Sequence, residues 1–82
     1  MTPQELAAFA RLEAAIDQHP LLKRIGEPDC RVNRSGYSVR IQVKHMGSRK
    51  TKPDWIHEPG DSIEVACANL IQALDLWAQA IK

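Results

Sequence analysis

The middle of the chain alternates apolar and polar residues with a period of two, whereas the segments on either side repeat their apolar residues every three or four positions. Tyr37, Val39, Ile41 and Val43 alternate with polar or basic residues over positions 37–44. This period gives a strand one apolar and one polar face, and the flanking period gives a helix one apolar stripe. Because each of these surfaces must be buried against another element, the pattern predicts an α+β fold.

The first helix is predicted from a strong start signal. Thr2 is a suitable cap, Pro3 suits the first helical position, and Glu5 completes a capping box. Pro20 is expected to end the helix near Gln18. The apolar stripe between these signals consists of Leu6, Phe9, Leu12 and Ile16.

A β-hairpin is predicted next. Residues 30–34 are expected to pair with the strand over 37–44, because Gly36 supplies the positive φ that a tight turn needs. Ahead of the hairpin, residues 21–26 predict a short turn of helix. After it, residues 45–53 predict a polar, basic loop.

The remaining residues predict one long helix and leave one strand undecided. Residues 54–57 form either a third strand at an edge or no strand, because Pro53 and Pro59 flank them. Asp61 is the expected cap of the last helix, with Glu64 completing a capping box. This helix of about twenty residues is expected to span roughly 30 Å. Its apolar stripe consists of Ile63, Cys67, Leu70, Leu74, Trp77 and Ile81.

Together these elements predict a single two-layer domain over residues 1–82, in the order α-β-β-(β)-α. The N- and C-terminal helices are expected on one face of a small antiparallel sheet, because that arrangement buries all three apolar surfaces. The other face of the sheet is then exposed and polar, and it carries Arg31, Ser38, Arg40, Gln42 and Lys44.

Charge is segregated along the chain, although the formal net charge is only +1. Seven of the eleven Lys and Arg residues lie in 30–53, which contains no acidic residue. Residues 1–29 carry three cations against five acids, and residues 54–82 carry one against five. On the expected fold, the central cations form a basic sheet face and a basic loop. The partner-binding residues predicted among them are Arg31, Arg40, Lys44, Arg49, Lys50 and Lys52.

Three roles are open for this basic stretch. It can solvate an exposed strand and prevent sheet-to-sheet association, contact the phosphates of a nucleic acid, or dock an acidic protein surface. Tyr37 is the only aromatic residue inside the stretch and belongs to the apolar face, so no base-stacking platform is predicted. Trp55, in the Pro-bounded segment that follows, either closes the end of the core or serves as an aromatic anchor for a partner.

The sequence contains no motif for catalysis, a cofactor or a metal. It has no glycine-rich phosphate loop and no nucleophile elbow. Cys67 belongs to an apolar helical face, where a thiol is inert, and Cys30 beside Arg31 is a weak candidate nucleophile. Cys30, His45, His57 and Cys67 include no closely spaced ligand pair of the zinc-finger type. We therefore predict a protein without enzymatic activity, cofactor or metal.

The chain is expected in the cytoplasm, which is the host cytosol if a phage encodes it. Its two cysteines are too few for a disulfide scaffold. The first residues lack the basic region that is typical of a secretory signal. The longest uncharged run, residues 65–74, has about half the length of a membrane span, so no membrane association is predicted.

Residues 60–77, a Gly-Asp-Ser cap followed by an Ala- and Leu-rich helix, resemble the helix of HicB-type antitoxin domains. This resemblance implies an antitoxin that covers a small toxic ribonuclease, although this chain opens with a helix where that family opens with strands. The helix–strands–helix order is also similar to double-stranded-RNA-binding domains, but Asp61 and Glu64 stand where that family has lysines that grip RNA. The size and order are similar to small α-β-β-α proteins of phages and prophages, some of which are anti-CRISPR proteins.

These features predict a small, non-enzymatic protein-binding module. It would act as a phage-type, anti-CRISPR-like inhibitor or an antitoxin-like protein that blocks a nucleic-acid-handling machine through its basic face and loop. The expected partner is a protein with an acidic or nucleic-acid-mimicking surface. The alternative is direct binding of nucleic acid through the same basic hairpin. A homodimer through the hairpin edge or the last helix is compatible with either function.

Overall fold

One long central strand, Gly36–His45 (β3), organises the sheet in a computed structural model that describes residues 1–82. Along one edge, β3 pairs antiparallel with Asp54–Gly60 (β4). Along its other edge, β3 pairs antiparallel with two short strands, Leu22–Arg24 (β1) and Asp29–Asn33 (β2). The two short strands share this edge end to end, because β3 residues that pair with either of them also pair with β4.

Three helices cover one face of this sheet: Pro3–Gln18 (α1), Ile63–Gln72 (α2) and Leu74–Ala80 (α3). None of them combines the length and the apolar character that crossing a membrane requires. Their apolar side chains meet the odd-numbered residues of β3 in one core, so the predicted two-layer α+β fold is confirmed. The buried core residues are Ala8, Phe9, Leu12, Ile16, Leu22, Val39, Ile41, Val43, Ile56, Ile63, Ala66, Cys67, Leu70, Leu74, Ala78 and Ile81.

Helix α1 begins and ends where the sequence predicts. The Glu5 N–H donates to Thr2 Oγ1 at 3.2 Å, and the Thr2 N–H donates to Glu5 Oε1 at 2.7 Å, which forms the reciprocal capping box. The hydrogen bond from the Thr2 backbone lowers the pKa of Glu5, because it stabilises the ionised carboxylate. Gln18 is the last helical residue, two positions before Pro20.

The prediction of a helical turn over residues 21–26 is wrong, because β3 recruits this segment as strand β1. Lys23 pairs with Lys44 and Arg24 with Val43. Arg24 also ties β1 to α1, because its guanidinium donates to Glu13 at 2.6 Å and to Asp17 at 3.2 Å. The hydrogen bond to Asp17 raises the pKa of Arg24. A three-residue strand has no periodicity of its own, so pairing rather than local sequence determines its conformation.

The prediction of one continuous last helix capped by Asp61 is also wrong in two details. The cap is Ser62, whose hydroxyl oxygen accepts the Val65 N–H at 3.1 Å. The helix is divided at Ala73, which has φ −94° and ψ 1° and whose N–H is shared among the carbonyls of three preceding residues. This tightened turn separates α2 from α3.

The undecided segment after the basic loop forms a full edge strand, β4, which extends through Pro59. Proline lacks an N–H and is tolerated at an open edge. The Pro59 carbonyl accepts a hydrogen bond from the Asn69 side-chain amide at 2.8 Å. Part of this open edge is therefore satisfied by α2.

Two glycines allow one end of the sheet to approach the start of α2. Gly36 has φ +139°, the positive value predicted for the hairpin turn. A Cβ atom on Gly36 would lie 2.6 Å from the Gly60 carbonyl oxygen, and a Cβ on Gly60 would lie 2.7 Å from Ala66 Cα. A side chain at Gly36 would push the hairpin away from the end of β4, and one at Gly60 would push β4 away from α2.

Candidate partner-binding face

The second face of the sheet carries no helix. Residues directly opposite each other on neighbouring strands share a face, so the register assigns every strand residue to the covered or the open side. We call the open side the outer sheet face, and its side chains are those of Lys23, Asp29, Arg31, Asn33, Ser38, Arg40, Gln42, Lys44, Trp55, His57 and Pro59.

Arg40 lies at the centre of the outer sheet face. Its Nε donates a hydrogen bond to Asp29 Oδ2 at 3.2 Å. Its guanidinium carbon lies 4.2 Å from the centroid of the Trp55 ring, which is within the range of a cation–π interaction. Asp29 comes from β2 and Trp55 from β4, so the three strands place one acid, one cation and one aromatic ring together.

Trp55 belongs to the open face rather than to the core. Its neighbour Ile56 is fully buried opposite Ile41, and the alternation of the strand turns Trp55 outward opposite Gln42. Its residue surface remains 42% exposed. Of the two roles open for Trp55 in the sequence, closing the core is therefore wrong, and a role at the surface remains.

The outer sheet face has a positive charge balance. Its cations are Lys23, Arg31, Arg40 and Lys44, and Asp29 is its only carboxylate. Lys23 and Lys44 lie directly opposite each other, and two like charges in that position repel. An anionic group bound between them would relieve that repulsion.

The predicted loop cations lie beyond one end of this face. Arg31 is opposite Ser38, whereas the loop begins after His45, about seven residues and roughly 23 Å further along β3. Lys50 is engaged within the chain, because its Nζ donates to the Ile81 carbonyl at 3.1 Å and lies 3.8 Å from Asp54 Oδ2. Arg49 and Lys52 are exposed. The predicted residues therefore form a stripe rather than one cluster.

Two charged residues of this face, Lys23 and Asp29, were not among the predicted contacts. Lys23 was missed because its segment was expected to be a helical turn, and no local signal marks a strand of three residues. Asp29 was missed because the predicted hairpin strand begins at Cys30. A signal for Asp29 exists in the hairpin itself, since pairing extended back from Gly36 places residue 29 opposite Arg40.

Neither cysteine lies on the outer sheet face. Burial raises the pKa of the Cys67 thiol to about 11, so the thiol stays protonated at neutral pH. Cys30 lies on the covered side of β2 and packs against the core. Both thiols are free. No three His, Cys, Asp or Glu side chains converge as a metal site would require.

A second region with titratable groups is a cleft of about 260 Å³ at the end of α3. In it, His19 Nε2 lies 2.7 Å from Asp75 Oδ1, and His19 Nδ1 accepts the Leu21 N–H at 3.1 Å. His45 also lines the cleft, and its Nδ1 accepts the Gly47 N–H at 3.0 Å. Because both Nδ1 lone pairs are occupied, each ring carries its proton on Nε2 and offers no lone pair to a metal ion.

The position of His45 shows that the predicted loop starts one residue too early. His45 is the last residue of β3, it is only 7% exposed, and the loop comprises residues 46–53. Its Nε2 is buried without a hydrogen-bond partner. The loop was predicted to begin at His45, but the alternation of β3 turns position 45 toward the core.

Trp77 is only partly buried, at the border of the core that the sequence assigned to it. Its ring lies beside the open edge of β4, with its centroid 5.2 Å from that of His57. Its Nε1 donates to Glu58 Oε2 at 2.9 Å. The helical layer therefore closes over the edge of β4, where Trp77 contacts His57 at the margin of the outer sheet face.

Comparison with models of known protein families, with curated proteins and with solved structures gave no match to this chain.

Proposed function

We propose that this chain is a non-enzymatic binding module whose outer sheet face docks a protein partner with an acidic surface. The observation that carries the proposal is the group formed by Asp29, Arg40 and Trp55 at the centre of a basic face that no helix covers. Tryptophan and arginine are the residues most enriched among interface hot spots. The surrounding cations would accelerate association and orient the partner.

The surface shape supports docking rather than catalysis. The cleft at the end of α3 measures about 260 Å³, just below the range of 300–1,000 Å³ that ligand pockets usually occupy. The largest depression, about 530 Å³ along residues 50–54, lacks the predominantly apolar lining of such pockets. An open sheet face, by contrast, offers a flat area suited to a protein surface. The proposed activity is therefore occlusion, in which the module covers a site on its partner.

Occlusion is the mode of action of an inhibitor. A module of this kind fits a phage-type, anti-CRISPR-like inhibitor or an antitoxin-like protein that blocks a nucleic-acid-handling machine, either through an acidic or through a nucleic-acid-mimicking surface of that machine. The resemblance of residues 60–77 to HicB-type antitoxin domains supports this class of role. The cytoplasm is the compartment in which such a partner would be met.

Direct binding of nucleic acid is the second candidate. It is supported by Arg49 and Lys52, which extend the basic stripe beyond the sheet and are exposed to solvent. Against it, Trp55 is the only Trp, Tyr or Phe residue on the outer sheet face, and one side of its ring is occupied by Arg40. Platforms for single strands stack successive bases on several rings.

Fluorescence anisotropy separates the two candidates. The probes are a labelled glutamate-rich peptide, single-stranded DNA, duplex DNA and duplex RNA, each at about 50 and 200 mM salt. The protein-partner proposal expects the peptide to bind more tightly than any nucleic acid at both salt concentrations. Nucleic-acid binding that is tighter than peptide binding and falls by about 10³ or more between those salts would replace it with the second candidate.

The Trp55→Ala variant supplies the matched test of the face. It is expected to weaken peptide binding by about 2 kcal/mol with the fold intact, because Trp55 lies outside the core. Leu76→Ala is the control, since Leu76 is a 68% exposed apolar residue on α3. Equal effects of the two substitutions would show that binding does not use the outer sheet face.

A further inference from the structure

Two contacts from different strands hold the Arg40 side chain. The Asp29 carboxylate on β2 accepts its Nε–H at 3.2 Å, and the Trp55 ring on β4 lies against its guanidinium at 4.2 Å. A surface arginine normally loses rotamer freedom when it binds a ligand. Arg40 has already lost much of that freedom in the unbound protein, so its binding geometry is prepared in advance.

The donors of Arg40 that would meet a ligand are free. Its two terminal amino groups, Nη1 and Nη2, form no hydrogen bond within the chain, and neither is sealed from solvent. Arg24 shows the opposite arrangement, because its terminal amino groups are used by Glu13 and Asp17. Arg40 therefore presents outward a pair of N–H donors that lacks an acceptor.

The geometry and the local charge indicate which acceptor fits. Parallel N–H groups of a guanidinium match the two coplanar oxygens of a carboxylate. The residues directly opposite Arg40 are Asp29 and His57, so no second cation faces it across the strands. Because the Asp29 carboxylate already lies at 3.2 Å, a singly charged ligand is favoured over a doubly charged phosphate monoester, which that carboxylate would repel more strongly.

We propose that Arg40 is the carboxylate receptor of the outer sheet face. Its terminal amino groups bind, at two points, an Asp or Glu side chain on the acidic surface of the protein partner. This inference rests on the proposed function and names the chemical group that the face recognises. Trp55 and Asp29 are positioning residues for Arg40, while Arg31 and Lys44 add attraction that has no directional requirement.

The test compares two substitutions that preserve charge. The probe is a fluorescein-labelled peptide of ten glutamates, and its affinity is measured by anisotropy at low salt. Arg40→Lys is expected to weaken binding about tenfold, because lysine keeps the charge and loses the planar pair of donors. Arg31→Lys is expected to change the affinity less than about twofold, because Arg31 is exposed and has no contact that holds it.

A second readout needs no variant. In the wild-type protein with ¹⁵N-labelled arginine, two-point binding is expected to slow rotation about the Arg40 guanidinium bonds. Separate Nη–H resonances would then appear for Arg40 on addition of the peptide. Peptide binding that leaves these resonances averaged would overturn the two-point contact.

The outcomes separate the inference from the function on which it rests. Peptide binding that Arg40→Lys and Arg31→Lys weaken equally would overturn the receptor role of Arg40 and leave the docking face standing. Absence of peptide binding to the wild-type protein would overturn both. A phosphoserine peptide of the same length that binds more tightly, with the same dependence on Arg40, would overturn the choice of carboxylate.

Discussion

The two faces of the sheet differ in how each accommodates the one residue that breaks its pattern. The buried residues of the covered face are apolar except for His45, whose Nε2 has no hydrogen-bond partner. The outer sheet face carries one large apolar side chain, Trp55, whose ring is covered on one side by the Arg40 guanidinium. The buried His45 Nε2 is left without a hydrogen-bond partner, whereas the exposed Trp55 ring packs against a cation.

This difference separates the face that packs against the helices from the face that we propose binds a partner. A buried donor without an acceptor costs about 1–3 kcal/mol, and His45 Nε2 has no acceptor within hydrogen-bond distance. On the open side, a ring that could have stayed solvated instead fixes the orientation of a cation. The contrast predicts that changes on the covered face alter stability and changes on the outer face alter binding.

The largest expected effect is the difference in stability between substitutions at two residues that are adjacent in sequence and lie on opposite faces. Ile41→Ala is expected to lower the free energy of unfolding by about 2–5 kcal/mol, because Ile41 is fully buried between the helices and β4. Gln42→Ala is expected to change it by less than about 0.5 kcal/mol. Urea denaturation followed by circular dichroism measures both values. Comparable losses in the two variants would mean that the outer face is covered in solution.

The next largest effect is a loss of stability at alkaline pH, which is expected from the Cys67 thiol buried on the covered side. Because burial raises the pKa of Cys67 to about 11, the buried, protonated thiol makes its full contribution to the stability of the folded state below pH 9. This contribution is lost as the pH rises through 11. The loss is expected to be about 2–3 kcal/mol, since an unfolded thiol ionises near pH 9.

Urea denaturation at pH 8 and pH 11 tests this expectation against the Cys67→Ala variant. That variant is expected to lose less stability than the wild-type protein, because lysine and tyrosine ionisation is common to both. Cys30→Ala, which alters the other cysteine on the covered side, serves as the matched control. An equal loss in the wild-type protein and in Cys67→Ala would show that the buried thiol does not contribute.

The smallest effect is expected when His45, the one polar residue buried on the covered face, is replaced by an apolar residue. His45→Leu is expected to raise the free energy of unfolding by about 1 kcal/mol, because it replaces an unpartnered buried donor with an apolar side chain. The freed Gly47 N–H is exposed and can bond to water. Thermal denaturation measures the change, and a loss of stability instead would indicate that the imidazole has an acceptor in solution.

Periodicity and capping predicted the parts of the fold that depend on local sequence. The apolar alternation of β3 identified the central strand and its two faces, and the capping box of Thr2 and Glu5 identified the start of α1. These signals act over a few residues, so no knowledge of the tertiary fold was needed. Arg40 and Lys44 on the outer face followed from the same alternation.

The parts that could not be predicted depend on pairing between distant segments. Three residues became β1 only because β3 continues far enough to bind them, and the side of Trp55 depends on the register of β4. The division at Ala73 has no glycine or proline to mark it. His45 is a different case, because alternation carried one step beyond Val43 would have placed it on the covered face.

The arrangement of the sheet edges has a consequence for the behaviour of the protein at high concentration. Fibrils grow by adding strands to an open edge of about six or seven consecutive residues. One edge here is divided into strands of three and five residues, and the other contains Pro59, whose carbonyl is taken by Asn69. Neither edge offers an uninterrupted template, so this small sheet can leave one broad face open to a partner without leaving an edge open to fibril growth.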